Sequence, residues 1–220
     1  MTVSCVIPVY NQAATLHRAV ASALPQCDEV IIINDGSTDY TFRVAESMNR
    51  HHDRIHSIHA KHGGVVAARN TGLKIATGEL ILPLDADDWL EPDAVSQLLA
   101  AYAPHSFVYG GWNEWEKAGK PPRKVIAPRI GMIDRKNVAK ATFLFERKTA
   151  LEIGGYDPQF EIGAEDWAFM LALLEYGAQA IRIDYPVLNY TVTTTGRATM
   201  TYTRKQEVIA MMRTRFARVK

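Results

Sequence analysis

Four short apolar runs separated by stretches of helical character fill the first 84 residues, and this alternation restricts the fold more than any other feature of the chain. Val3 to Val9 is apolar and ends in Pro8-Val9-Tyr10-Asn11, after which Leu16, Val20 and Leu24 mark a helical stripe closed by Pro25. Glu29 to Ile33 repeats the strand pattern, Asn34-Asp35-Gly36-Ser37 breaks it, and Thr38 to about Arg50 suits a second helix. Ile55 to Ala60, Gly64 to Ala76 and Glu79 to Leu84 continue as strand, helix and strand. Strands and helices alternating at this spacing predict βαβ units, right-handed crossovers and a mostly parallel sheet flanked by helices. The chain is therefore of the α/β class, and its ligand belongs above the carboxyl ends of the strands.

The fourth run, Leu80-Ile81-Leu82-Pro83-Leu84, leads directly into Asp85-Ala86-Asp87-Asp88. Three carboxylates at the carboxyl edge of a buried strand concentrate negative charge where such folds place ligands. That charge calls for a cation, and hard oxygen donors favour Mg²⁺ or Mn²⁺, commonly held by one or two carboxylates plus substrate phosphates. Taken alone, the same string is also a polar turn in which Asp88 caps the next helix.

After this turn the rhythm changes. A helix is predicted near Pro92 to Tyr102, a strand near Phe107 to Gly110, and a loop or edge hairpin over the polar stretch from Glu116 to Arg129. Phe143 to Phe145 reads as a strand, Glu165 to Tyr176 as a helix, and Ala180 to Ile183 and Val187 to Tyr190 as two further strands. With no repeat or linker in 220 residues, the expectation is one domain over residues 1–203, with a nucleotide-binding half (1–90) and an acceptor and catalytic half (91–203). Residues 204–220 form a basic amphipathic helix: Val208, Met212, Phe216 and Val219 share a stripe, and six Lys and Arg face the single acid Glu207. That helix either packs across the domain or lies on an anionic membrane surface.

Twenty-five Lys and Arg against 24 Asp and Glu leave a formal charge of +1, so global electrostatics does not nominate nucleic acid as a partner. No apolar stretch approaches the roughly 20 residues that cross a bilayer, and the N-terminus lacks a secretory layout, so a cytoplasmic protein is expected, peripheral to a membrane at most. Cys5 and Cys27 lie in or beside apolar runs and are expected as free thiols. His51, His52, His56, His59 and His62 come without accompanying cysteines and straddle a loop and a weak strand, a poor zinc pattern. Trp112 and Trp115 suit either sugar stacking or packing at a sheet edge.

Pro8-Val9-Tyr10-Asn11, Ile33-Asn34-Asp35-Gly36-Ser37-Thr38-Asp39, Ala68-Arg69-Asn70-Thr71-Gly72, Gly78-Glu79, Leu84-Asp85-Ala86-Asp87-Asp88, Gly154-Gly155-Tyr156-Asp157 and Glu165-Asp166-Trp167 follow one another in an order found in one family. The chain resembles the family 2 glycosyltransferases with the GT-A fold, from about Val3 to Tyr190. Each motif is weak by itself; the ordered set is specific for the fold and points to nucleotide-sugar-dependent sugar transfer, without naming the sugar.

The resemblance implies roles. Pro8, Val9, Tyr10 and Asn11 would lie against the base, and Asp35 would accept a hydrogen bond from it, usually from uracil; an ionised carboxylate only accepts. By itself Asn34-Asp35-Gly36 is an ordinary turn. The arginine matching Arg69 lies near the nucleotide portion of the donor, in a helix opened by His62-Gly63-Gly64, whose amides suit phosphate oxygens. Asp85, with Ala86 beside it, would reach the ribose, and Asp87 with Asp85 would hold a divalent cation, Mn²⁺ or Mg²⁺, on the diphosphate. Asp166 is the implied base for an inverting transfer, with Glu165 and Trp167 beside it and Gly155 and Tyr156 shaping the acceptor loop; two acids in a first helical turn also simply favour the helix dipole. The partners implied are a nucleotide-sugar donor and a saccharide, lipid-linked or protein acceptor, with oligomeric state open.

One departure stands out. Where many members carry a histidine that completes the metal site, this chain has Thr193, and Arg197 is a candidate to contact the pyrophosphate instead. The rival readings are a non-catalytic nucleotide-sugar-binding module and a sugar nucleotidyltransferase; the latter lacks a Gly-rich, Lys-bearing first loop. No Gly-x-x-x-x-Gly-Lys-Ser/Thr or Gly-x-Gly-x-x-Gly fingerprint is present, against a nucleotide hydrolase or a dehydrogenase.

Overall fold

The computed structural model describes residues 1–116, 120–133, 136–161, 163–192 and 205–217. Thr193, Arg197 and Val219 lie outside that set. Strands β1 (Val3–Val9), β2 (Glu29–Asp35), β3 (Ile55–Ala60) and β4 (Leu80–Pro83) form a parallel array in the order β3-β2-β1-β4. Every residue of β1, β2 and β4 is buried, which explains their unbroken apolar runs: helices cover both faces of a parallel sheet. Those helices are α1 (Ala13–Ala23), α2 (Thr41–His51) and α3 (Gly64–Ile75). Gly72 of α3 sits directly on β1, where a Cβ would come within 2.3 Å of Val6 Cγ1, so helix and strand approach closely. Glu29, buried at the start of β2, accepts from the Ser4 hydroxyl, the Thr77 amide and hydroxyl and the Gly78 amide, which satisfies its burial.

The sheet then changes character. β8 (Leu144–Glu146) runs antiparallel between β4 and β6 (Ser106–Trp115); β6 lies parallel to β9 (Gln179–Thr191); β5 (Trp89–Leu90) and β7 (Arg123–Val125) add antiparallel edges. The stretch expected as a loop or hairpin thus contains a short hairpin strand, β7. β6 extends five residues past Gly110, and β9 is one strand rather than two. A register shift opposite Gly110 and Gly111 absorbs the extra residues of β9, and a side chain at Gly110 would fall 2.5 Å from the Tyr185 carbonyl. Helices α4 (Ala94–Ala101), α5 (Arg147–Glu152) and α6 (Glu165–Glu175) complete this half. α6 is apolar nearly all round and buries Trp167, Phe169, Met170 and Leu171; Phe169 stacks on Tyr156 at 4.2 Å and meets Phe145 at 4.9 Å.

The last helix, α7 (Lys205–Arg215), buries Val208 and Met212 against the domain, followed by Phe216, which packs beside Phe160. Of the apolar stripe, the described members Val208, Met212 and Phe216 are buried in packing across the domain, the first of the two placements expected. Among the described residues, no helix is long and apolar enough to cross a membrane.

Candidate active site

The carboxyl ends of β1, β2 and β4 open into a cavity of about 760 Å³, within the size range of small-molecule sites. Its walls bring together residues far apart in sequence: Pro8 and Val9 at the end of β1 with Tyr10 just after it, Asp35 at the end of β2, Arg69 and Ala68 on α3, Asp85 to Asp88 after β4, Glu165, Asp166 and Trp167 opening α6, and Tyr190 and Thr191 at the end of β9.

Asp35 is buried and tightly held. Its Oδ1 accepts from the Gly63 amide at 2.8 Å and its Oδ2 from the Gly64 amide at 2.9 Å, while His62 Nδ1 lies 2.9 Å from Oδ2. The His62 ring stacks on Tyr10 with centroids 4.3 Å apart. The amides of the Gly-rich helix start, expected to suit phosphate, are thus spent on Asp35. Gly64 has φ +87°, where a side chain would be strained, and its missing Cβ leaves room for the Glu161 carboxylate.

The acidic turn is shaped from outside. The Asp87 carbonyl accepts from the Arg18 guanidinium at 2.7 Å and from the Thr191 hydroxyl at 2.6 Å, and Asp88 Oδ1 accepts from the Thr191 amide at 2.8 Å. Asp88 therefore ties the turn to β9 and does not cap α4, whose N-cap position is Asp93. Burial, with Asp87 and Asp85 adding, pushes the Asp88 carboxyl well above the ordinary range, opposed by the Thr191 amide and Lys140. Asp85 and Asp87 are half-buried on the cavity wall.

Arg69 joins the two halves. Its side chain is buried, with Nη2 2.7 Å from Asp85 Oδ1 and Nη1 2.9 Å from Glu165 Oε1, and its guanidinium lies 5.4 Å from the Tyr156 ring. Asp85 and Glu165 hold its pKa above the ordinary arginine value against the cost of burial. Arg69 Nε, Glu165 Oε2 and the Tyr156 hydroxyl are buried with no partner among the described residues.

Asp166 stands on the wall formed by α6. Its Oδ2 accepts from Asn137 Nδ2 at 2.9 Å and its Oδ1 from the Trp167 amide at 2.8 Å. Burial first and the neighbouring Glu165 second push its pKa up to about 6, opposed by Arg69 and both hydrogen bonds. A carboxylate with that value is ionised at neutral pH and still basic enough to take a proton.

Three expected site residues stand behind the wall. Asn11 Oδ1 accepts from the Thr38 and Asp39 amides, so this side chain organises the loop after β2. Gly155, at φ +77°, and Tyr156 clamp Asn70: the Tyr156 amide donates to Asn70 Oδ1, and Asn70 Nδ2 donates to the Tyr156 carbonyl. Trp112 and Trp115 lie on β6, an interior strand flanked by β7 and β9 rather than a sheet edge, and outside the cavity wall, with their indole N–H groups donating to Glu114 and Asn189. Sequence reasoning missed Asn137, Lys140 and Thr191; the first two lie in a stretch without periodicity, where only the fold shows that they face Asp166.

The donor set fits a hard cation. Asp85 and Asp87 offer carboxylate oxygen to the cavity, and among the described residues no three His, Cys, Asp or Glu converge as a ready-made centre. A cation there would take its remaining ligands from diphosphate and water, the usual mode for Mg²⁺.

The model of the family described as glycosyl transferase family 2 matches residues 4–157. Chondroitin synthase of Escherichia coli is 43% identical over 100 residues, covering 44% of this chain and 15% of that protein. Succinoglycan biosynthesis protein ExoU of Rhizobium meliloti is 41% identical over 142 residues, covering 63% and 36%. The chain thus spans well under half the length of these relatives. Among solved structures, S. aureus TarS (1–349) in complex with UDP-GlcNAc superposes with a TM-score of 0.72 at 20% identity, covering 96% of this chain and 66% of that one. The mannosyltransferase PcManGT of Pyrobaculum calidifontis, in complex with GDP-Man and Mn²⁺, gives 0.68 at 20% identity, covering 94% and 61%. At such identities the likeness shows the fold, GT-A.

Proposed function

The chain belongs to glycosyl transferase family 2, and from that premise we propose that it moves a sugar from a nucleoside-diphosphate donor, UDP-linked first among candidates, to an acceptor hydroxyl with inversion. The acceptor is a growing polysaccharide or another glycoconjugate. The observation that carries the reading is one cavity with Asp85 and Asp87 on one wall and Asp166, its pKa raised, on another.

In this reading the base rests against Tyr10 and the His62 ring stacked on it, with Asp35 fixed beneath by two amides. The turn held by Arg18 and Thr191 presents Asp85 toward the ribose. When bound through Asp87 and Asp85, a divalent cation would supply Lewis-acid neutralisation of the departing diphosphate. Asp166 takes the proton of the acceptor hydroxyl as that oxygen bonds the anomeric carbon, and the bond from that carbon to the diphosphate oxygen breaks with its electron pair leaving on the diphosphate. Asn137 and the Trp167 amide hold the carboxylate in place for this step.

The test starts with thermal shift against UDP, GDP, CDP and dTDP in Mn²⁺, since a ligand of the folded state alone raises the melting temperature. Turnover of the matching nucleotide sugars by wild type and Asp166→Asn follows. The expected result is a stabilising nucleotide and a turnover reduced about 10²–10⁴-fold by the substitution, with nucleotide affinity retained. A chain that binds a nucleotide yet turns over no sugar donor is the non-catalytic module instead.

A further inference from the structure

Lys140 lines the cavity between the acidic turn and Asp166, and nothing in the mechanism above uses it. Its Nζ lies 3.7 Å from the centroid of the Tyr190 ring and 5.3 Å from that of Trp112. Four carboxylates act on it at longer range, those of Glu114, Asp166, Asp88 and Asp85. Among the described residues, none of them forms an ion pair with it.

Each of those acids is already served. Glu114 accepts from Trp112 Nε1 and from the Arg123 guanidinium. Asp88 accepts from the Thr191 amide, Asp166 from Asn137 and the Trp167 amide, and Asp85 from Arg69. Lys140 is therefore not placed to neutralise a particular protein carboxylate. An ammonium has three donors, and a ring face beneath it stabilises the charge without using all of them. The aromatic seat fixes a cation whose remaining donors are unclaimed among the described residues, on the wall of a cavity read as a donor site.

We propose that Lys140 is an anion-recognition residue of the cavity, binding a negatively charged oxygen of the donor: either the diphosphate or a carboxylate on the transferred sugar. This rests on the donor reading above. Uncompensated burial of a lysine costs stability, and its own pKa is lowered by that burial, so a bound oxyanion restores what desolvation removes. A structural lysine would matter equally for every ligand; an anion-recognition lysine discriminates by ligand charge.

The experiment is calorimetric titration of wild type, Lys140→Gln and Lys140→Arg with UDP, UDP-glucose and UDP-glucuronate in Mn²⁺. If the diphosphate is the partner, Lys140→Gln weakens all three about tenfold or more, the scale of a charge-assisted hydrogen bond, and Lys140→Arg recovers most of the loss. If the sugar carboxylate is the partner, only UDP-glucuronate weakens. Unliganded melting temperatures report folding, and Lys140→Met, which keeps the aliphatic stem against both rings, replaces the Gln variant should that variant not fold. Neutral variants that bind all three ligands as wild type does overturn the proposal. Wild type that binds none of the three, and none of GDP, CDP and dTDP, removes the donor premise, and the proposal falls with it.

Discussion

The two halves of the cavity are built by different means. On the donor side, Pro8, Val9, Asp35 and Asp85 sit at the ends of parallel strands buried on both faces, so the sheet itself places them. On the opposite side, Asn137, Lys140, Asp166 and Thr191 sit on connecting segments or element ends. They are held by side-chain ties that reach far along the chain, such as Asp88 to Thr191 across 103 positions. Arg69 is where the two constructions meet. The comparison teaches that the wall proposed for the nucleotide is placed by sheet pairing, whereas the opposite wall, with Asp166, is aligned by side-chain contacts between segments distant in the chain.

The largest expected effect comes from cutting that junction. Arg69→Leu leaves the buried Glu165 carboxylate and the Asp85 carboxylate without their cation, and breaking a buried pair from one side costs about 3–5 kcal/mol. Denaturant unfolding should show the loss, and the folded remainder should turn over donor more slowly because Asp166 follows Glu165 on α6. A loss under about 1 kcal/mol would mean the halves are held together by something else.

A control on the donor side should cost stability alone. At Gly78 a Cβ would meet Ser4 Oγ at 2.4 Å and the Ser4 amide nitrogen at 2.8 Å, at the end of the sheet away from the cavity. Gly78→Ala is expected to cost about 1–3 kcal/mol by overpacking while the turnover number of the folded enzyme stays at the wild-type value. A fall in that number as well as in stability would show the donor side to be less independent of the catalytic side than the sheet implies.

The same contrast explains what could be read in the sequence. The runs at Val3, Glu29 and Leu80 are strands with the expected faces, because a doubly covered parallel strand has an apolar signature of its own. The acidic turn, Asp35 and the Glu165-Asp166 pair were legible from residue type and order. What was not legible depends on register and on distant partners. β9 continues through Pro186 because the bulge opposite Gly110 takes up the slack. β5 is two residues long, and α5 is a six-residue helix without a stripe. Asn137 and Lys140 acquire meaning only once β8 and β9 bring their segment against α6, and Arg69 reads as a nucleotide contact until its two carboxylates are seen.

The raised pKa of Asp166 gives the catalytic side its own signature. With Asp166 in the proposed role of base, which requires it ionised, kcat/KM should fall below pH 6, by about tenfold at pH 5, and this limb should vanish in Asp166→Asn along with turnover. Stability runs the other way. A carboxyl whose folded pKa lies above its unfolded value of 3.8 favours the folded state as protons bind, so its contribution grows as pH falls from about 6 toward 4 and is lost as pH rises through 6. Asp166→Asn should therefore melt no lower than wild type at pH 7. A clear drop there would mean that the ionised carboxylate stabilises the fold, contrary to its burial beside Glu165.

The smallest expected effect sharpens the comparison most, because it separates tuning from support. Asn137 Nδ2 donates to Asp166 Oδ2 from a segment that contacts the site through side chains. Removing the donor in Asn137→Ala takes a hydrogen bond from the ionised form, and that form loses ground to burial and to the charge of Glu165, which both push the pKa up. The acid limb of kcat/KM should move to higher pH by about one unit or less, the scale of a single hydrogen bond, with nucleotide affinity unchanged. Loss of activity at every pH with the limb unmoved would assign Asn137 to holding the wall in place; a limb moved to lower pH would contradict the donor geometry at Asp166.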